Sequence, residues 1–324
     1  MAATRFMSSL GMFNDGSKDG KAGGQGAAPG GQERALGARG ADLAEGIIGQ
    51  IEQSQALDSF AQTLGSLVSK VLQPGKLKDL VSGTWMGHPA HPMLTDVPIG
   101  AWTSALMLDL LGGRAGADGA DTLIGIGVLA ALPTAITGLS ELADLGTEHE
   151  RAIAGAHAIG NTAALSLYAA SYVARKSGNR MIGICLSTAG AGVMMASAFL
   201  GGHLSFRRGI GVSHTAFEYP VEDWTPVLAD DELPEGEAKV VNAAGNEVML
   251  YRSNGTLCAL ADHCMHAGGP LHEGSIEGGQ VTCPWHASTF NLADGSLVRG
   301  PATAPQPSYE ARVQDGKIEV RSRA

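Results

Sequence analysis

Charged residues are scarce in this chain, as are aromatic residues and cysteines. Asp, Glu, Lys and Arg make up 17% of its 324 residues, and aromatic residues make up 5%. Residues 1–21 contain no apolar run and no twin-arginine pair, so we expect no cleavable export signal. The four cysteines do not form the pattern of a secreted disulfide framework. Cys185 lies in an apolar stretch and Cys258 in a predicted strand, and we expect both to be buried packing residues.

Nearly all of the net charge lies in the last third of the chain. The whole chain carries −10, and residues 216–324 carry 16 acidic and 7 basic residues, a net of −9. Such a surface disfavours nucleic acid and anionic lipid and suits a basic protein partner. Acidic residues that only keep the domain soluble would produce the same excess.

The first 75 residues divide into two parts. Residues 1–40 are rich in Gly, Ala and polar residues, and we expect a disordered arm. Residues 41–75 predict an amphipathic helix, broken near Gln55 and ended by Pro74-Gly75, that lies at a membrane interface or packs on a soluble partner. Its apolar residues are Leu43, Ile47, Ile51, Leu57, Phe60, Leu64, Leu67 and Val71.

Four apolar segments follow, at 93–111, 123–139, 153–174 and 181–204. Each is about as long as a helix needs to be to cross ~30 Å of hydrocarbon. Gly183, Ser187 and Ala191 form a row of small residues that suits close helix contact in lipid. We therefore predict a four-helix transmembrane bundle over residues 78–213. A soluble four-helix bundle is the alternative, but it should show polar faces that these segments lack.

From residue 218 the pattern changes to short alternating stretches separated by turn residues. The predicted strands are 239–242, 247–252, 257–262, 280–282, 289–292, 309–314 and 318–321. Asn254-Gly255 and Asp315-Gly316 are typical of hairpin turns. Residues 218–324 therefore predict an all-β domain of small antiparallel sheets.

Within that domain stands Cys264-Met265-His266, followed after sixteen residues by Cys283-Pro284-Trp285-His286. Two thiolates and two imidazoles from two loops can hold a [2Fe–2S] cluster, with the thiolates on one iron and the imidazoles on the other. A zinc site is the alternative, although known zinc spacings place Cys with Cys and His with His. The motif resembles that of the Rieske [2Fe–2S] proteins over residues 220–323.

The resemblance implies further properties. His266 and His286 would lie at an exposed tip and pass the electron on. Gly269 and Trp285 stand where high-potential Rieske proteins carry two further cysteines, so we expect no disulfide there. Phe290 stands in the place of a Tyr that donates a hydrogen bond to the cluster, which favours a low or intermediate potential. The chain ends at Ala324 without a mononuclear iron domain, so we expect an electron-transfer component rather than a self-contained enzyme.

The apolar part opens with Gly87-His88-Pro89-Ala90-His91-Pro92. It resembles a family of bacterial four-span membrane domains of unknown function, over residues 78–213. Four histidines fall at one depth of the predicted bundle, on the side of the β domain: His88, His91, His157 and His203. We hypothesise a second site there, either a b-type haem or other metal held by histidines, or a quinone pocket. The alternative is a helix-entry turn with imidazoles at the headgroup level.

These features predict a membrane-anchored Rieske protein that carries single electrons between a membrane donor, such as quinol, and a redox partner protein. The alternative is an electron-delivering subunit of a membrane oxidoreductase with a second metal or haem site at the intramembrane histidines. A third reading is a redox sensor. We expect a multi-pass protein in a bacterial cell membrane. The lack of an export signal and of a shielding disulfide favours a Rieske domain on the cytoplasmic side.

Overall fold

The computed structural model describes residues 31–323, with side chains from residue 42 onward. The chain divides into two compact units, residues 1–47 and residues 48–324. Most of the predicted disordered arm, residues 1–40, lies outside the described residues. Its last ten residues differ from the prediction, since they form the start of helix α1, which begins at Gly31. The helices are α1 (Gly31–Glu52), α2 (Gln55–Val71), α3 (Lys76–Ser82), α4 (Ala90–Leu111), α5 (Ala117–Leu142), α6 (Glu148–Lys176) and α7 (Arg180–Arg208).

Local capping signals explain where the helices begin. The predicted break near Gln55 is confirmed, since the Ser54 side chain caps α2 by accepting a hydrogen bond from the Leu57 N–H. Helix α6 begins with a capping box, in which Thr147 and Glu150 satisfy each other's backbone N–H groups. Short connections join α4 to α5 and α6 to α7. Because of these short connections, neighbouring helices in the chain run in opposite directions.

Small residues allow the four long helices to approach closely. The row of Gly183, Ser187 and Ala191 on α7 is buried as predicted. The Ser171 hydroxyl of α6 donates to the Gly183 carbonyl at 2.7 Å. In the core, the rings of Trp102 and Tyr168 stack with centroids 4.0 Å apart. Cys185 differs from the prediction, because its side chain is exposed on the outer surface of α7.

Among the described helices, α5 and α7 are long and apolar enough to cross a membrane. In the most apolar 18-residue stretch of each helix, only 22% of α5 and 33% of α7 is buried within the protein. The outward faces of these helices are therefore apolar, as a lipid environment requires. The other two long helices, α4 and α6, are long enough but fall short in hydropathy.

A buried ion-pair network joins the four long helices at the end remote from the β domain's connection. The Arg175 guanidinium lies 2.5 Å from Asp109 Oδ2 and 3.0 Å from Asp121 Oδ1. Arg180 binds the same two carboxylates at 2.7 and 2.8 Å. Because Asp109 comes from α4, Asp121 from α5 and Arg175 from α6, these contacts hold the helix ends together.

The C-terminal part is all-β, as predicted. One antiparallel sheet has the strand order β1-β10-β9-β4-β3-β2, and the other has the order β5-β6-β7-β8. Both predicted hairpin turns are confirmed, with left-handed backbone at Asn254-Gly255 and at Asp315-Gly316. The strands are β1 (Thr225–Ala229), β2 (Ala238–Ala243), β3 (Asn246–Ser253), β4 (Thr256–Ala261), β5 (Ser275–Glu277), β6 (Gln280–Thr282), β7 (Thr289–Asn291), β8 (Leu297–Arg299), β9 (Ser308–Gln314) and β10 (Lys317–Ser322).

Candidate functional site

Two loops of the same construction carry the predicted cluster residues. The first follows β4 and is closed by the Cys264 N–H donating to the Gly269 carbonyl at 2.9 Å, while the Gly268 N–H donates to the Cys264 carbonyl at 2.8 Å. The second joins β6 to β7 and repeats this pattern between Cys283 and Ser288 and between Ala287 and Cys283. The fifth residue of each loop, Gly268 or Ala287, has left-handed backbone, with φ of 75° and 62°. The two loops therefore share one backbone frame, in which His266 is the third residue and His286 the fourth.

The loops bring the four predicted cluster residues together. Cys264 and Cys283 are buried, with 1% and 3% exposure, and their thiols hydrogen-bond to each other. The rings of His266 and His286 meet edge to face, with centroids 5.0 Å apart. Thiol therefore lies next to thiol and imidazole next to imidazole. This donor set fits a [2Fe–2S] cluster, in which each iron takes two ligands of one kind.

The protonation preferences of three of these four groups, Cys283, His266 and His286, also suit metal binding. The hydrogen bond from Cys264 lowers the pKa of Cys283 to about 7 and raises that of Cys264. Burial lowers the pKa of His266 to about 3, and the neighbouring His286 and Lys78 act in the same direction. Burial likewise lowers the pKa of His286. The imidazoles are thus neutral and the Cys283 thiolate accessible near neutral pH, which are the forms that bind iron.

A third segment, residues 300–307, supports both loops. The Gln306 side chain is buried, accepts from the Met265 N–H at 3.0 Å and donates to the carbonyls of Ala261 and His263 at 2.9 and 2.7 Å. The Ala302 N–H donates to the buried Ser288 hydroxyl oxygen at 2.9 Å. These contacts fix the backbone on either side of the predicted ligands. Gln306 was missed by sequence reasoning, because a lone Gln in a Pro-rich loop carries no pattern.

None of the four cysteines forms a disulfide, and all lie within the described residues. Trp285 is 56% exposed, and its ring lies against Gly269. A Cβ atom on Gly269 would come within 2.8 Å of the Cys283 sulfur and within 3.1 Å of the Trp285 ring. The pair of positions that could hold an extra disulfide is therefore occupied by close glycine–tryptophan packing.

The expected exposed tip is wrong, because the histidine edge faces the helical part of the chain. His266 Nε2 lies 3.9 Å from Asp144 Oδ2, in the connection between α5 and α6, and His286 hydrogen-bonds to the Asp144 backbone. Asp144 is paired at 2.7 Å with Lys78, whose ammonium is buried. Both residues were missed as site residues by sequence reasoning, since neither lies in a recognisable motif.

Three further hydrogen bonds join the two parts beside the cluster loops. The Gly300 N–H donates to Asp79 Oδ1, and the Thr84 hydroxyl donates to the Ala302 carbonyl, both at 3.0 Å. The His214 N–H donates to the Met265 carbonyl, also at 3.0 Å. A pocket of about 330 Å³ remains between the two parts. It is lined by His266 and by His88.

The predicted second site is only partly brought together. His91 and His157 both line a cavity of about 850 Å³ within the helical part. His88 lies in the smaller pocket instead, and His203 faces Glu52 at 3.5 Å. Within residues 31–323, no three His, Cys, Asp or Glu side chains converge to hold one metal ion. The four histidines therefore do not form one shared set of ligands.

Comparison with known proteins identifies both parts. Residues 223–310 match the Rieske [2Fe-2S] domain family, and residues 87–214 match a family described as predicted membrane protein (DUF2231). The anthranilate 1,2-dioxygenase ferredoxin subunit of Burkholderia cepacia is 33% identical over 103 residues, which are 32% of this chain and 95% of that protein.

Two other matches also cover less than a third of this chain. Apoptosis-inducing factor 3 of Mus musculus is 31% identical over 28% of this chain, and the matched part spans 15% of that longer protein. The solved ferredoxin of carbazole 1,9a-dioxygenase from Nocardioides aromaticivorans IC177 is 25% identical, covers 32% of this chain and 100% of its own, and has a TM-score of 0.30. The chain thus belongs to the Rieske [2Fe–2S] family, as a ferredoxin-like electron-carrier domain fused to a DUF2231 predicted membrane domain.

Proposed function

We propose that this chain is a membrane-anchored electron carrier that binds its [2Fe–2S] cluster through Cys264, His266, Cys283 and His286. The observation that carries the proposal is the pairing of thiol with thiol and imidazole with imidazole on two equivalent loops. When bound, such a cluster supplies one-electron redox chemistry. The loops, Gln306 and the Ser288 hydroxyl hold the ligand positions in place, and burial of the two cysteines excludes water from the sulfurs.

The helical part is proposed to anchor this domain by four spans, α4 to α7. Two of these helices have the length and hydropathy of a span, and they pack in antiparallel pairs with the other two. Some of the polar side chains that lower the hydropathy of α4 and α6 have partners inside the bundle, as Asp109 does with Arg175. A helix whose polar groups are satisfied by neighbouring helices can remain in lipid.

The proposed route of the electron runs from the membrane domain to the cluster through the histidine edge. The contacts of His266 and His286 with Asp144 put this edge against the helical part rather than in solvent. The pocket of about 330 Å³ beside His266 has room for the head group of a membrane-resident donor such as quinol. The donor is therefore expected to be a membrane component, and the acidic surface of the β domain suits a basic redox partner.

The test is spectroscopy of the full chain extracted in detergent. After reduction, the wild-type protein should give the EPR signal of a mixed-ligand [2Fe–2S] cluster and contain equal amounts of non-haem iron and acid-labile sulfide. His286→Ala should lose both, whereas His263→Ala should retain them, because His263 lies beside Glu247 at 3.3 Å, on the surface. Stoichiometric zinc without acid-labile sulfide in the wild-type protein would overturn the proposal.

We further propose that the Rieske domain lies on the cytoplasmic side of a bacterial cell membrane. The observation behind this is the absence of a disulfide shielding the cluster loops, since all four cysteines are free thiols. Protease treatment of oriented vesicles should cleave the β domain only when the cytoplasmic face is outside. Cleavage from the opposite face would contradict the orientation and leave the cluster assignment intact.

A second candidate is an electron-delivering component of an oxygenase-type system. Its basis is the similarity to a ferredoxin subunit of a dioxygenase, whose name links that protein to an oxygenase partner. The isolated chain should then consume no oxygen with any substrate, and it should transfer electrons to an added oxygenase component. Failure to reduce such components, together with rapid reduction by quinol, would favour the first candidate.

A further inference from the structure

The helical part contains a cavity of about 850 Å³ whose walls come from α2, α4, α5, α6 and α7. Cavities that hold cofactors and small molecules measure about 300–1,000 Å³. The lining is mainly apolar, and two of its polar groups are the imidazoles of His91 and His157. The proposed cluster site does not use either of these residues.

His91, in the first turn of α4, is held by α5. Its Nδ1 lies 3.0 Å from the Thr134 carbonyl oxygen and 3.2 Å from the Thr137 hydroxyl. A carbonyl only accepts hydrogen bonds, so Nδ1 carries the proton and Nε2 of the neutral ring has a free lone pair. The ring packs against Gly138, where a Cβ atom would come within 2.7 Å of it. The backbone of α5 thus fixes both the tautomer and the position of this imidazole.

His157, on α6, is held in the same way by α7. Its Nδ1 lies 2.8 Å from the Ser197 carbonyl oxygen, so this ring also carries its proton on Nδ1. Its Nε2 accepts a hydrogen bond from the exposed Asn161 amide at 2.9 Å. Gly201 packs against the ring, and a Cβ atom there would come within 2.9 Å. Two histidines on different helices therefore share one tautomer, one kind of carbonyl partner and one kind of glycine packing.

We propose that this cavity binds a b-type haem, with His91 and His157 as its axial ligands through Nε2. Haem iron binds the unprotonated nitrogen of a neutral imidazole. Metal-binding histidines commonly donate their other N–H to a backbone carbonyl, which orients the ring and makes it more basic. Cofactor sites in helix bundles are likewise built from side chains on facing helices. At His157 the iron would take the place of the Asn161 amide.

The position of the cavity in the chain also supports a haem there. Glu141, Leu145 and Ile210 line both this cavity and the smaller pocket beside His266. A haem in the cavity would therefore adjoin the histidine edge of the proposed cluster and could exchange single electrons with it. The haem assignment stands on its own residues, and it can hold or fail independently of the cluster assignment.

The experiment uses the full chain, produced in cells supplied with a haem precursor and extracted in detergent, with haemin titrated into any apoprotein. A pyridine haemochrome assay should find one b-type haem per chain, with the low-spin optical spectrum of two nitrogen ligands. His91→Ala and His157→Ala should each lose the low-spin spectrum and keep the cluster EPR signal, which shows that the β domain is folded. His88→Ala and His203→Ala are the matched controls and should keep the haem.

A cavity variant that fails to fold is separated from one that only loses a ligand by chemical rescue. Added imidazole should restore the low-spin spectrum of His157→Gly with haemin, since the small molecule can fill the vacated position. The proposal is overturned if the wild-type chain binds no haem after titration. It is also overturned if quinone copurifies in the cavity instead, or if His88→Ala or His203→Ala removes the haem as completely as His91→Ala does.

Discussion

Replacing Asp144 by Asn should weaken the surface against which the histidine edge rests. Lys78 is 5% exposed and Asp144 is 17% exposed, so the pair is largely shielded from water. The Lys78 ammonium donates to Asp144 at 2.7 Å and to the Ser140 carbonyl and hydroxyl at 2.9 and 3.0 Å. Asp144→Asn keeps the shape and removes the charge, which leaves a buried ammonium without its nearest anion.

The magnitude follows from the burial of the pair. Removing one partner of a buried ion pair costs about 3–5 kcal/mol. Glu141 also interacts electrostatically with Lys78, and the new amide oxygen can still accept a hydrogen bond. We therefore expect Asp144→Asn to lower the free energy of unfolding by about 3 kcal/mol, the lower end of that range. Lys78→Met should cost a similar amount, because it leaves Asp144 unpaired. In the double variant, the loss in free energy of unfolding should be about 2 kcal/mol smaller than the sum of the two single losses, because neither charge is then buried without a partner.

The assay is denaturant unfolding in detergent, followed by far-ultraviolet circular dichroism and combined into a double-mutant cycle. Protease cleavage within residues 209–224, which connect α7 to β1, should become faster in Asp144→Asn, because the docked surface is less stable. The control is Glu232→Gln, which removes an exposed ion pair with Lys239, 3.2 Å long, and should cost at most about 1 kcal/mol. If Asp144→Asn costs no more than this control, the buried pair does not stabilise the docked arrangement.

Three other substitutions test particular contacts. Asp109→Asn should destabilise the helical part by about 3–5 kcal/mol in the same unfolding assay, because both oxygens of this buried carboxylate bind guanidinium groups, of which that of Arg175 is fully buried. Gly269→Ala should lower the iron and sulfide content per chain, since its Cβ would come within 2.8 Å of the Cys283 sulfur, whereas Gly146→Ala, which meets no atom within 4 Å, should not. Gln306→Leu should lower the midpoint temperature for loss of visible cluster absorbance. It leaves the Met265 N–H and the Ala261 carbonyl without their hydrogen bonds, and each such buried group lowers stability by about 1–3 kcal/mol.

The β domain could be predicted well from the sequence because its signals are local. Alternating apolar residues gave the long strands, and Asn254-Gly255 and Asp315-Gly316 marked their turns. The strands that were missed are β1, which has no clear alternation, and the three-residue β5 and β8. The equivalence of the two cluster loops was also missed, because it lies in backbone hydrogen bonds that Gly269 and Ser288 do not reveal as residue types.

The helical part was predictable in the number and approximate bounds of its long segments, but less so in the use of its polar residues. Asp109, Asp121 and Arg175 come from three helices, and nothing in their spacing shows that they meet. The same holds for the histidines. Equal depth along the bundle suggested one group of four, whereas the direction of each side chain separates His91 and His157 from His203. Depth follows from sequence position, but direction depends on how the helices rotate against one another.

The position of the cluster edge is the least local feature, and it has the largest consequence for function. An electron carrier that exchanges electrons only with soluble proteins needs its histidine edge in solvent. Here that edge meets Asp144, while Trp285, on the same loop as His286, remains exposed. The domain therefore has two unlike approaches, one through the helical part and one from solvent beside Trp285. Under the proposed function, a carrier built in this way can take an electron from the membrane and still offer a free surface to a soluble partner, without having to undock between the two steps.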